Sequence, residues 1–251
     1  MKKLLVVAIA LFVSTVSFSQ KKKDLIKEVA ALKANASSLK SELNELKKAN
    51  SYYKEILPLY KKHKVYEEYL TVKNYIVSNL RVLGEYEKST ALAEEVIREN
   101  QAYFKERNDI EAVSYSTLAI IASINNQYDK AIEIHQKIIK IFEKTGNKKG
   151  ECSSYNNIGI AYYFKNDFEE ALDYFKAYEK CLISSGAKPN FASLYGNSAA
   201  ICIALGDYEE ALEYIMKAIN EIEAHEPTNW RSLVTQYTNC SNVCERLNQP
   251  T

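Results

Sequence analysis

A pattern of residues recurs along this chain at a step of about 40 residues. Tyrosines stand at Tyr115, Tyr155 and Tyr195, and a second aromatic residue follows each of them thirteen positions later. A fixed period of this length is typical of a stack of small identical units, each one supersecondary element, rather than of a single globular core. The second aromatic residues, and the alanines that follow three positions after them, are Tyr128, Phe168, Tyr208, Ala131, Ala171 and Ala211.

A short turn sequence separates two helix-forming segments in each repeat. Gly or Asn stands where the first segment would end, and acidic residues open the second. Both features favour helix ends, because Gly and Asn tolerate a left-handed backbone and acidic side chains suit the positive end of a helix dipole. The sequence therefore predicts an all-α fold of helix hairpins over residues 67–251, about four and a half repeats, with turns at 83–85, 125–127, 165–167 and 205–207.

These residues resemble the tetratricopeptide repeat. In that family an aromatic, a large apolar, a small and a second aromatic residue stand along the first helix. The first repeat departs from the pattern, with Lys73 in place of the tyrosine. The resemblance implies a right-handed α-solenoid that serves as a scaffold for varied ligands. The long step is similar to that of members that hold extended peptides. The residues that match in order are Tyr155, Ile158, Gly159 and Tyr162.

The resemblance also implies a concave groove lined by another face of the first helices. Asn157, Asn197 and Asn239 recur on this face, with Thr117 as a polar substitute in the preceding repeat. An asparagine amide both donates and accepts, so it can hold a peptide backbone without reading its side chains. Alternatively, these amides bond neighbouring helices. The candidate ligand-groove residues are Ser116, Thr117, Asn156, Asn157, Ile160, Tyr163, Asn197, Ala200, Asn239 and Asn242.

Residues 1–19 differ from the rest of the chain. A basic start, an apolar run over residues 4–16, and Ser17 and Ser19 before Gln20 are typical of a secretory signal peptide. Thirteen apolar residues span about 20 Å as a helix, short of a bilayer core of about 30 Å. We therefore expect cleavage, no membrane span in the mature chain, and export to the periplasm or beyond. The alternative is a retained anchor. The ending resembles exported proteins of Bacteroidetes-type bacteria.

Residues 20–50 carry a heptad pattern, which predicts a coiled-coil seam. The seam either pairs two chains into a homodimer through residues 21–50 or belongs to one amphipathic helix that folds back. Residues 51–66 are expected to form a connecting helix with a kink or break at Pro58, since proline lacks a backbone donor. The heptad positions are Leu25, Val29, Leu32, Ala36, Leu39, Leu43 and Leu46.

The sequence gives no sign of an enzyme, a cofactor or a metal site. The three histidines are far apart, and Glu221 with His225 is a spacing more often found on a solvated face. No glycine-rich phosphate loop is present. Lys plus Arg (33) nearly equals Asp plus Glu (32), so no net field would select a nucleic acid. The five cysteines are an odd count, which in an exported protein leaves at least one thiol free or paired between molecules. Cys202, Cys240 and Cys244 stand where the repeat needs small apolar residues and are interpreted as buried thiols.

The last segment, residues 229–248, is predicted to be a lone first helix. No second helix follows to cover Leu233, Tyr237, Cys240 and Cys244, so it would cap the stack, dock a partner or precede a continuation. The expected function is an exported scaffold that binds a peptide or protein segment. The alternative is the periplasmic sensor portion of a membrane histidine kinase or transcription regulator, with its output domain beyond Thr251.

Overall fold

The computed structural model describes residues 43–105, 108–186, 191–226 and 228–248. These residues form helices joined by turns and contain no strand, which confirms the all-α prediction. The predicted signal peptide and the heptad positions before Leu43 lie outside them. The helices are α1 Leu43–Lys62, α2 Tyr66–Val82, α3 Tyr86–Tyr103, α4 Asp109–Ile124, α5 Tyr128–Thr145, α6 Lys148–Lys165, α7 Phe168–Ser184, α8 Ala192–Leu205, α9 Tyr208–His225 and α10 Trp230–Leu247.

The chain forms two compact units, which divide between Thr117 and Leu118, inside α4. In the first unit α1 packs on α2, and α2 packs on α3. In the second unit each helix from α5 to α10 packs on the next one along the chain. Contact between successive helices is the packing order that a stack of helix hairpins requires.

Each predicted turn within a repeat has the same backbone geometry. A residue one or two positions after the end of the first helix has a left-handed conformation, with φ of 76° at Gly84, 58° at Asn126, 64° at Asn166 and 81° at Gly206. The next backbone N–H then donates to a carbonyl five residues earlier, which satisfies one of the free acceptors at the helix end. These bonds run from Glu85 to Leu80, Gln127 to Ala122, Asp167 to Tyr162 and Asp207 to Cys202, at 2.8 to 3.0 Å.

The hairpin of α6 and α7 shows how the repeat residues build the core. Ile158 is fully buried, and the rings of Tyr155 and Tyr162 lie 6.4 and 5.5 Å from the ring of Tyr174 on α7. At Gly159 the two helices approach so closely that an added Cβ would lie 2.8 Å from the Phe175 ring. The aromatic and small positions of the sequence pattern are therefore the contact surface between paired helices.

The first repeat keeps this hairpin although it lacks the tyrosine. Lys73 is buried, at 4% exposure, on α2. Its ammonium group bonds to Glu95 at 2.7 Å and to Glu99, and lies 4.9 Å from the centre of the Tyr69 ring. Burial lowers the pKa of Lys73, but the bonds to the two carboxylates outweigh it and raise that pKa overall. Ion pairs of the buried Lys73 with two partly exposed carboxylates thus replace the aromatic contact of the other repeats.

The helix does not break at Pro58, because α1 continues through this residue to Lys62. Ile56 and Tyr60 flank the proline and are both buried, and α1 packs on α2. This packing compensates for the lost backbone bond. The helix ends instead where Lys64 adopts a left-handed φ of 58°.

Cys152 and Cys181 form a disulfide that joins α6 to α7, with their Cα atoms 5.4 Å apart. The repeat pattern gave no indication of this pairing. Both residues are buried, but they are joined by a covalent bond across the hairpin. Cys202 does remain a buried thiol, and burial raises its pKa to about 11. Cys240 and Cys244 are free and half-buried.

The last helix, α10, runs from Trp230 to Leu247, close to the predicted bounds. It packs on α9, so Leu233 is buried rather than uncovered as the sequence suggested. Trp230, Val234 and Tyr237 remain exposed. The Asn229 side chain caps its first turn by accepting a bond from the Ser232 N–H at 3.2 Å.

Candidate binding groove

Within the described part of the second unit, three cavities lie along the first helices. Each is named after one of its residues. The His135 cavity lies between α5, α6 and the C-terminal end of α4. The Asn197 cavity lies between α6, α7 and α8, and the Asn239 cavity lies between α8, α9 and α10. Their volumes are about 350, 260 and 460 Å³. Ile160 and Phe164 line both of the first two, so these two cavities adjoin at these side chains.

The His135 cavity has mainly apolar walls. Ile120, Ser123 and Ile124 of α4 form one side, and Tyr128 and His135 of α5 form another. The remaining wall comes from α6 and consists of Asn157, Ile160, Ala161 and Phe164. Two of the predicted groove residues, Asn157 and Ile160, therefore meet here.

The Asn197 cavity brings together three further predicted residues, Tyr163, Asn197 and Ala200. Phe175 of α7 lies at the same register position as His135 one repeat earlier and lines this cavity in the same way. The two cavities are therefore equivalent sites in successive repeats.

The Asn239 cavity contains two more predicted residues, Asn239 and Asn242, together with Ile203 and Tyr208. Glu245 and Arg246 also line it. Among the residues that the structure describes, no charged side chain lines either of the other two cavities. The row of cavities is therefore neutral along two repeats and charged at the α10 end.

The remaining predicted residues lie elsewhere. Ser116 and Thr117 belong to the first unit. Thr117 is buried, and its hydroxyl donates to the Val113 carbonyl of its own helix at 3.4 Å. It therefore differs from the polar groove residue that the sequence predicted at this position. Asn156 is half-buried on α6 and lines none of the three cavities.

The asparagines of the three cavities are not used to join helices. Among the described residues, the side-chain amides of Asn157, Asn197 and Asn239 have no hydrogen-bond partner. Asparagine is mildly unfavourable in a helix interior, because its side chain competes for backbone bonds. Three such residues at equivalent positions are therefore available to a ligand.

His135 is a cavity residue that the sequence pattern did not reveal. Its side chain is buried, with 2% of its surface exposed. Burial lowers its pKa to about 4, so the imidazole is neutral near pH 7. The signal for it in the sequence is the register: the equivalent positions of the next two repeats hold Phe175 and Ile215.

Neither a metal site nor a membrane helix is found within the described parts of the chain. Residues 43–105, 108–186, 191–226 and 228–248 contain no cluster of three or more His, Cys, Asp or Glu suited to a metal ion. No helix in these ranges is both long and apolar enough to cross a bilayer.

Three solved structures with similar folds have low sequence identity to this chain. BtubC (BKLC) from P. vanneervenii is 17% identical, with a TM-score of 0.64 over 89% of this chain and 84% of that one. Aspartyl phosphate phosphatase F from Bacillus subtilis is 17% identical, with a TM-score of 0.71 over 93% of this chain and 61% of that one. YrrB, a TPR protein with an unusual peptide-binding site, is 18% identical, with a TM-score of 0.53 over 89% and 97%.

The sequence itself matches two family models, both for the tetratricopeptide repeat. One matches residues 68–144 and 112–182, and the other matches residues 192–225. A comparison with curated proteins gives no significant match. The family matches together span more than half of the chain, and the helices and the similar folds agree with them. The chain therefore belongs to the tetratricopeptide-repeat family and has its all-α solenoid class of fold.

Proposed function

We propose that this chain is an exported scaffold that binds an extended peptide or protein segment along α6, α8 and α10, without catalysing a reaction. The observation that carries the proposal is the set of unpaired amides of Asn157, Asn197 and Asn239, one in each of three successive cavities. Each amide can donate to a peptide carbonyl and accept from a peptide N–H. An extended backbone repeats these groups along its length and so can meet all three.

The cavity walls define the chemistry of the ligand. The first two cavities are lined by uncharged side chains, so they suit a neutral and largely apolar segment. Glu245 and Arg246 suit a polar or charged group at the α10 end. The peptide-binding site named for YrrB, which shares the fold, supports a peptide as the ligand class.

Export is part of the proposal, and two features support it. Residues 1–19 have the layout of a signal peptide. The Cys152–Cys181 disulfide belongs to the kind of bond that persists in oxidising compartments outside the cytoplasm. Mass measurement of the native protein should find a chain that begins at Gln20, and a chain that retains Met1 in the membrane fraction would contradict this.

The binding proposal is tested with peptides selected from a displayed library of random dodecapeptides. The Asn157→Ala/Asn197→Ala variant should bind the selected peptides about tenfold or more weakly, since each lost bond costs about 0.5–1.5 kcal/mol. The matched control is Asn125→Ala/Asn220→Ala, because these two asparagines are exposed and lie outside the three cavities. The control pair should leave the dissociation constant unchanged.

Thermal melting of the same variants separates binding from folding. The Asn157→Ala/Asn197→Ala variant should melt at or slightly above the wild-type temperature, because alanine is the better helix former. Ile158→Ala, which empties a fully buried position, should cost about 2–5 kcal/mol and supplies the reference for structural damage. If the asparagine pair lowers the melting temperature as far as Ile158→Ala does, the amides are structural. If no peptide is enriched at all, the proposed function is wrong.

A further inference from the structure

His135 is a polar exception at a position that is otherwise apolar. The equivalent positions in the next two repeats are Phe175 and Ile215, and all three side chains are buried. The Nδ1 atom of His135 is buried and has no hydrogen-bond partner. Burying a polar atom without a partner is unfavourable, and an apolar side chain would fill this place without that penalty. Packing alone therefore does not account for a histidine here.

The His135 side chain lies at the wall of an open cavity rather than inside a sealed core. Two large apolar side chains of this cavity, Ile124 and Phe164, are 45% and 58% exposed. Large apolar side chains exposed around a concave site mark a place where a ligand binds. The cavity volume of about 350 Å³ is enough for one large side chain of a ligand.

One wall of this cavity is flat and aromatic. The rings of Tyr128 and Phe164 are stacked, with centroids 5.9 Å apart and planes 12° from parallel. The Tyr128 hydroxyl already donates to Asn126 Oδ1 at 2.7 Å, so Tyr128 offers its ring rather than its hydroxyl. A planar aromatic side chain packs on such a surface in an offset or edge-on arrangement.

The polar groups of the cavity are uncharged. Burial lowers the pKa of His135 to about 4, and the neutral imidazole has one donor and one acceptor nitrogen. Asn157 adds an unpaired amide to the wall, and in the described ranges no lysine, arginine or carboxylate lines the cavity. A charged ligand group would lose its water here without gaining a counter-charge. The complementary ligand group is therefore neutral and hydrogen-bonding.

We propose that the His135 cavity recognises a tyrosine side chain of the bound segment, with the phenol hydroxyl bonded to the His135 imidazole. This inference rests on the proposed function and adds the side chain that the groove selects. A hydroxyl donates and accepts, so it pairs with either tautomer of the imidazole, whereas an indole N–H only donates. A phenylalanine would leave the imidazole unpaired, and a site built to bond a hydroxyl rejects the analogue that lacks it.

The first test uses the two side-chain analogues p-cresol and toluene as probes. Titration of each into the protein is followed by ¹⁵N resonances of the His135 imidazole. The wild-type protein should bind p-cresol about tenfold more tightly than toluene, and p-cresol should shift the His135 resonances in a saturable way. This comparison needs no variant, so it does not depend on whether a substitution folds.

The matched variant is His135→Ile. Isoleucine is the residue that a later repeat has at this position, as Ile215. The facing first helix has alanine at the same register position in both repeats, Ala119 here and Ala199 there. In this variant p-cresol and toluene should bind with equal affinity. A His225→Phe control, at an exposed histidine outside the three cavities, should keep the wild-type preference.

The second test examines the peptides selected from the random library. Peptides selected on the wild-type protein should share a tyrosine at one fixed position, and those selected on His135→Ile should not. Enriched peptides without a shared tyrosine would overturn the tyrosine pocket and leave the proposed function intact. Tighter binding of p-cresol without any enriched peptide would support the pocket and refute peptide binding. Equal affinity of the wild-type protein for p-cresol and toluene would overturn the inference directly.

Discussion

At the scale of single residues, two glycines in equivalent helices differ in what surrounds them. A Cβ at Gly159 would lie 2.8 Å from the Phe175 ring and 3.3 Å from the Ala171 carbonyl oxygen. A Cβ at Gly196 would meet only the end of the Gln236 side chain, at 3.0 Å. The first neighbourhood contains backbone and a packed ring, which cannot move aside as a side-chain end can.

Gly159→Ala should therefore destabilise the protein, and Gly196→Ala should not. Overpacking costs about 1–3 kcal/mol, which exceeds the gain of about 1 kcal/mol that alanine brings to a helix. At Gly196 the helix gain should prevail. Urea unfolding of both variants measures the difference, which should be about 1–3 kcal/mol in favour of Gly196→Ala, because the helix gain is common to both. Equal free energies of unfolding would show that the Phe175 ring can move aside.

His135 should make the free energy of unfolding depend on pH. Its folded pKa of about 4 is below the value of about 6.5 expected for the unfolded chain. Above pH 7 both states are neutral and the histidine contributes nothing. As the pH falls below 6.5 the unfolded state takes up the proton first, so stability is lost until the pH reaches the folded pKa. The loss from this residue between pH 7 and pH 5 should be about 2 kcal/mol.

The His135→Ile variant isolates this contribution. Denaturant unfolding of the wild-type protein and the variant at pH 7 and pH 5 should give a smaller loss of stability for the variant, by about 2 kcal/mol. The other two histidines and the carboxylates are common to both proteins and cancel in the comparison. Parallel pH profiles would mean that His135 titrates normally in the folded state.

At the scale of helices, the turns and hairpins could be predicted from the sequence because their causes are local. Gly84, Asn126, Asn166 and Gly206 each stand where a left-handed residue is needed, and each adopts that conformation. The end of α1 could not be predicted in this way. Pro58 is a local signal for a break, but burial of Ile56 and Tyr60 against α2 keeps the helix continuous. Contacts between helices prevailed over a local preference.

The disulfide and the His135 cavity were missed because their signals are relations between distant positions. Cys152 and Cys181 stand on opposite sides of the Asn166 turn, at almost equal distances from it along the chain. Antiparallel helices bring such equidistant residues close together. The disulfide could therefore be predicted from the alignment of the two helices, but not from either helix alone. His135 is unusual only in comparison with Phe175 and Ile215. The asparagine row of the site follows from the same register and could be predicted from it.

At the scale of the whole molecule, the heptad segment stays a prediction, because residues 1–42 lie outside the described structure. We expect it to pair two chains. A protein that begins at Gln20 should be a dimer in light scattering, and one that begins at Leu43 should be a monomer. The shortened protein must keep all of α1, because Ala49 and Tyr53 are buried and α1 packs on α2. Equal monomer masses for both proteins would exclude dimerisation through this segment.

The Cys152–Cys181 bond also determines where the second unit can fray. In a stack whose repeats contact only the adjacent repeats, opening spreads inward from an end. Helices α8 to α10 can open without stretching the disulfide. The disulfide closes α6 and α7 into a loop, which should stabilise this hairpin against unfolding by about 3–4 kcal/mol for a loop of this length. Amide hydrogen exchange should therefore show a step in protection between Ser184 and Ala192. After a dithiol reductant cleaves the disulfide, the step in protection should move toward α5. The redox state of the surroundings would then control how readily α6, which forms part of the groove, unfolds locally.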